Sequence, residues 1–184
     1  MKKLIVVAVA VALAAMSQAA QVTWTASAIA QSGESTSYYA MIVDAAGITG
    51  ATSASVVEAI IKDTFTGTVI YEGDATYNAS KAQVAVAFAK KTVMNGSYGS
   101  GSEVEYMTIL FDAATPDAAK NYMVTSGDTP VTAHFSDASL LAVPQGSQAG
   151  KTWTAVPGSS VPEPTSGLLM LLGVAGLALR RRRA

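Results

Sequence analysis

The chain has 184 residues, half of them hydrophobic, with a formal charge of −1 and no cysteine. That length admits a single domain with a real core plus flanking segments, and the missing cysteine excludes disulfides, thiol catalysis and cysteine-ligated zinc. Six of the 12 basic residues lie at the extreme ends, which leaves six lysines against twelve carboxylates in residues 20–160, a formal −6 that excludes a nucleic-acid partner.

Residues 1–19 have the three parts of a secretory signal. Lys2 and Lys3 form the basic end, residues 4–15 are apolar throughout, and Ser17 and Ala19 put small residues at the −3 and −1 positions before Ala20. Twelve apolar residues make a signal core rather than a permanent span. The expected partners here are the secretion translocon and a signal peptidase that cuts after Ala19.

Residues 20–156 are expected to be the exported domain. Val22-Thr23-Trp24-Thr25-Ala26-Ser27 alternates as a first strand, with Val22 and Trp24 on one face. A polar loop at residues 31–37 leads to a second strand from Tyr38 that ends at Asp44, and Gly47 and Gly50 punctuate the loop beyond. Ser55-Val56-Val57-Glu58 fits a capping box opening a two-turn helix that stops near Asp63.

A brief strand over residues 68–71 is expected before Glu72-Gly73-Asp74. From Ala82 to Ala89, Val84, Val86 and Phe88 separate from the alanines, so one strand face is bulky and the other small. Residues 104–111 are apolar on both faces, which suggests a central strand. The Gly/Ser stretch of residues 95–102 would join these two strands as a long-tipped hairpin. Residues 122–124 and 131–135, around Gly127-Asp128-Thr129-Pro130, form a second hairpin candidate. Residues 151–156 close the domain and repeat Thr-Trp-Thr-Ala from the first strand, so the two copies are either neighbouring strands whose indoles face the same core or a coincidence of an Ala/Thr-rich chain. The fold class is mainly β, a β-sandwich-like or β-rich α+β single domain with one short helix.

The search for chemistry is mostly negative. His134 is the sole histidine, and any nucleophile triad would need it with Asp128 or Asp137; its strand alternation turns it away from the face of Val131 and Phe135. Glu103 and Glu105 could hold a cation or serve as paired carboxylates, but acid catalysis would need one of them buried. Asp112, Asp117, Asp128 and Asp137 have no calcium-loop spacing. Gly96, Gly99 and Gly101 lack the Lys-Ser/Thr and the helix of a phosphate loop. Asn78 and Asn95 head glycosylation sequons of a kind that also arises by chance. No catalytic, cofactor-binding or metal-binding residue is assigned, and no cofactor is implied.

After a Pro157-Gly158-Ser159-Ser160 linker, residues 161–184 begin Val161-Pro162-Glu163-Pro164. They continue through 13 uncharged residues, 167–179, to Arg180, Arg181, Arg182 and Arg183. Thirteen helical residues cover only about 20 Å of a roughly 30 Å hydrocarbon core, so insertion is shallow and needs snorkelling arginines. The arginines hold that end on the cytoplasmic side.

This tail resembles the PEP-CTERM sorting tail of Gram-negative bacteria, which is also labelled the C-terminal domain of ice-binding proteins, a label that should not be read as an activity. The resemblance covers the last 24 residues, 161–184. It implies recognition of Pro162, Glu163 and Pro164 by an exosortase, a membrane-embedded protease or transpeptidase, then removal of the helix and delivery to the cell surface or matrix. Both prolines fix φ and Pro164 keeps Glu163 extended, a form that suits entry into a protease.

The expectation is a non-enzymatic exported protein, transiently anchored in the inner membrane with its C-terminus cytoplasmic, and structural or adhesive at the surface. A carbohydrate-binding module, with an extracellular polysaccharide as partner, would require Trp24, Tyr38, Tyr39, Tyr98 or Trp153 lined up on an exposed face. A surface hydrolase would require His134 or the Glu103/Glu105 pair recessed in a pocket. Ice binding would need flat threonine arrays, which are not evident.

Overall fold

In the computed structural model the described residues are 19–158; the expected signal core and the whole sorting tail, including its apolar helix, lie outside them. Alternation decides most of what lies between. The elements in chain order are β1 (Gln21–Ala30), β2 (Tyr38–Asp44), α1 (Ser53–Ile61), β3 (Thr68–Asn78), β4 (Gln83–Thr92) and β5 (Glu103–Phe111). β6 (Asn121–Val124), β7 (Val131–His134), β8 (Leu140–Ser147) and β9 (Thr154–Ala155) follow. They make one mainly β, curled sheet in the order β8-β1-β4-β3-β2-β5-β6-β9, with β7 also on β5. Among the described residues no helix is long and apolar enough to cross a membrane.

β3 turns the corner of the sheet. Thr68 to Ala75 pair with β2, and Thr76 to Asn78 pair with β4. The concave side closes over Val22, Trp24, Ile29, Val84, Val86, Phe88, Leu110 and Leu141. On the convex side Met41, Val43, Met107, Ile109 and Phe111 pack under Val56 and Val57 of α1. β2 and β5 are therefore apolar on both faces, which explains why β5 reads as central in the sequence.

The helix lies where expected, but its cap sits three residues earlier. Thr52 is extended at φ −123° and its hydroxyl accepts from the Ser55 backbone N–H, while the Ser55 hydroxyl accepts from the Thr52 N–H. Ser55 is thus the third residue of the box and not the cap. A serine hydroxyl reaches back as a carboxylate would, and Glu58 instead pairs with Lys62 one turn on.

Four other expectations are corrected. The brief strand over residues 68–71 does not stop before Glu72-Gly73-Asp74, because β3 continues through it in register with Met41, Ala40 and Tyr39. β4 and β5 form no hairpin; β4 lies between β1 and β3, and β5 pairs with β2, β6 and β7. β6 and β7 do not pair with each other. They lie end to end on β5, where Ile109 faces Val124 and Tyr106 faces Val131. Two residues on β5 thus oppose six on the other side, so the Gly127-to-Pro130 stretch is a long bulge within one interrupted strand. The two Thr-Trp-Thr-Ala copies are not neighbours: β1 lies between β4 and β8, and β9 pairs with β6.

β8, unassigned from the sequence, pairs parallel to β1 from Gln21↔Leu140 to Ser27↔Ser147. Pro144 is tolerated there because β8 is an edge. Trp153 reaches back across the curl, its indole N–H donating to the Ala30 carbonyl at 2.8 Å and its ring 5.6 Å from that of Tyr38. The chain therefore comes in at the Gln21 end of β1 and leaves near its Ala30 end, about 30 Å away along ten strand residues.

Candidate functional site

Three places gather polar side chains. At the pole where the chain leaves, the residue 31–37 loop meets the end of β5. Asp112 Oδ1 accepts from the backbone N–H groups of Lys120 and Asn121, and Oδ2 accepts from Ser32 Oγ at 2.8 Å and Asn121 Nδ2 at 2.7 Å. Burial pushes this carboxyl up, but the hydrogen bonds from Asn121, Ser32 and Lys120 outweigh it and hold the pKa below its ordinary value. Ser35 ties the same loop to the Asp112 carbonyl. The carboxylate acts as a clamp between loop and sheet.

At the end of β2, Asp44 Oδ1 accepts from Ala46 N–H and Glu105 N–H, and Oδ2 accepts from the Tyr98 hydroxyl at 2.9 Å. The Tyr98 ring stacks on Phe135 with centroids 4.9 Å apart. Burial, then the hydrogen bond and charge of Asp44, push the Tyr98 phenol up to about 12. This second clamp holds down the Gly/Ser loop before β5.

The third place is a groove of about 600 Å³ beside α1, with Met41, Ile60, Phe65 and Val69 inside and Asp63, Glu72 and Asp117 among its lining residues. Burial, then the charge and hydrogen bond of Glu72, push the Tyr39 phenol up to about 12. No group of three metal-ligating side chains occurs among the described residues.

The residues weighed from the sequence are scattered. Trp24 and Tyr38 are buried, at 0% and 2% exposure, and Tyr98 and Trp153 are half-buried against the same core. Tyr39 packs instead on the convex-side cluster. No exposed aromatic row is formed by these five, which removes the platform that the carbohydrate-binding alternative required. The side chains of His134 and Glu103 face each other at 3.8 Å with 59% and 63% exposure, on open surface and not in the recess that the hydrolase alternative required. Ala19 is exposed just ahead of β1, and the Ala20 carbonyl already accepts from Val93 N–H. Pro162, Glu163, Pro164, Arg180, Arg181, Arg182 and Arg183 lie outside the described residues. The Asp112 clamp is not visible in the sequence, where Asp112 shows only the lack of a calcium-loop spacing. Its one local signal is an aspartate at a strand end with a proline bend and an asparagine soon after.

The family model described as PEP-CTERM protein-sorting motif matches residues 160–183. No curated protein and no solved structure matches the chain. Residues 160–183 are thus a PEP-CTERM protein-sorting motif, which implies processing by an exosortase-type membrane protease and sorting to the cell surface.

Proposed function

We propose that residues 20–156 form a non-enzymatic, β-sandwich-like structural or adhesive domain. A signal peptidase frees it after Ala19, and an exosortase-type protease releases it at Pro162-Glu163-Pro164. Before processing, residues 167–179 sit in the inner membrane with Arg180 to Arg183 on the cytoplasmic side, where the cations are cheapest to leave. The observation that carries this reading is the sorting motif at residues 160–183, directly behind a domain whose chain is tied down as far as Val156. A structural role is supported by how the domain uses its partly buried carboxylates, since Asp44 and Asp112 accept backbone and side-chain donors that fasten loops.

Intact-mass measurement of protein recovered from native cells tests the processing: residues 1–19 and the arginine end should both be missing, and a full-length product refutes it. Deleting residues 20–156 while keeping both ends tests the role. Cells should lose cohesion or surface attachment, and unchanged cells remove the adhesive reading.

A further inference from the structure

The last residues of the domain are strapped to the pole at the Ala30 end of β1. β9 pairs with Asn121 and Tyr122, Val156 N–H donates to the Lys120 carbonyl at 2.9 Å, and Val156 is buried at 5% exposure. Trp153 locks the strap from the other side through Ala30 and Tyr38. Between Val156 and Pro162 stand five residues, 157–161. Even fully extended, that stretch reaches only about 20 Å. A folded domain of this length is about 35 Å across, wider than its tether.

We propose that the strap of residues 153–156 is a positioning device that makes the processing enzyme work against this pole of the folded domain. This rests on the sorting reading above. The surface brought to the enzyme is the rim around the Asp112 clamp, where Gly33, Glu34, Ala118 and Lys120 are exposed. Its partner is the outward face of a membrane protease, close to the bilayer. The tether is long enough for the Pro-Glu-Pro segment to enter a cleft with the domain folded, and it has little slack. Shortening it pulls the domain into the enzyme, whereas lengthening it is harmless.

The test follows processing of the full chain in native cells by intact mass. Deleting residues 158–160 leaves Pro157 and Val161 as the only link, and the full-length tail should accumulate. Replacing the deleted residues with an unrelated Gly/Ser stretch of equal or greater length should restore processing. Trp153→Ala in the shortened chain should also restore it, because the freed strap supplies the missing reach. Normal processing of the shortened chain overturns the proposal. So does failure of the Gly/Ser replacement, which would point to recognition of the linker sequence, or failure of Trp153→Ala, which would remove the strap as the cause. A wild-type chain that stays full length in the same cells instead sinks the sorting reading itself, and the proposal with it.

Discussion

Asn121 holds the carboxylate of Asp112 from two sides, its backbone N–H on Oδ1 at 2.9 Å and its side-chain amide on Oδ2 at 2.7 Å. With Ser32 and the Lys120 backbone on the same group, four donors converge on one side chain. Asp112→Ala leaves them without their acceptor and should lower stability by about 1–3 kcal/mol. The midpoint of urea unfolding measures this, and an unchanged midpoint would show that the clamp is ornamental.

The same group sets a pH dependence. Its folded pKa lies below its unfolded value, so its contribution is fully present above about pH 3.9 and fades as pH falls through the folded pKa. The stability gap between wild type and Asp112→Asn should be constant near neutrality and narrow in acid. Equal gaps at both ends of that range would contradict the assignment.

Tyr98 behaves in the opposite sense. Its phenol is raised to about 12, so the folded state favours the protonated form. That contribution is present below about pH 10 and is lost as pH rises through the folded value. Tyr98→Phe keeps the stack on Phe135 but takes the donor from Asp44 Oδ2, and should cost about 1–3 kcal/mol. An alkaline titration by phenolate absorbance should lose one late-ionising tyrosine.

Gly67 has no room for a side chain. A Cβ there would lie 2.3 Å from the Asp44 carbonyl oxygen and 2.4 Å from the Phe65 ring, and the first of these is backbone that cannot swing away. Gly67→Ala should destabilise the protein by about 1–3 kcal/mol through displacement of β2 against β3. Gly99→Ala, where a Cβ meets nothing within 4 Å, is the control and should be near neutral.

The two tryptophans should respond differently. The Trp24 indole N–H is buried without an acceptor among the described residues, whereas that of Trp153 donates to Ala30. Trp24→Phe removes an orphaned donor along with some volume, so its cost should fall well below the roughly 3–5 kcal/mol of emptying such a site to alanine. Trp153→Phe gives up a made hydrogen bond and should loosen the strap, which hydrogen exchange of the Val156 amide reports.

The β-rich class and the two faces of β4 are legible because alternation over six or more residues has one reading, the residue 31–37 loop because it is polar throughout, and the centrality of β5 because both its faces are apolar. So is the tail, whose motif, apolar run and cations occur in fixed order. What failed was partnership. The sequence favours joining consecutive strands, and here β4 and β5 go to different neighbours while β6 and β7 share one. Gly73 sits within β3, where a glycine between two acids reads as a break; the ladder to β2 runs straight through it. β8 is hidden in the sequence because Pro144 and Gly146 break its pattern, and a parallel edge strand tolerates both. The loop clamps at Asp44 and Asp112 join residues far apart in sequence, such as Ser32 and Asp112, separated by 80 positions. No local spacing announces such a contact.

The parallel pairing of β1 with β8 joins positions 119 residues apart, as between Ser27 and Gly146. One flank of the first strand stays bare until nearly the whole domain has been delivered, and closing so long a loop is slow. A polypeptide wired this way remains threadable while it moves through a narrow pore and shuts only when its far end arrives. With no cysteine to staple it, that late closure is the step that completes the domain.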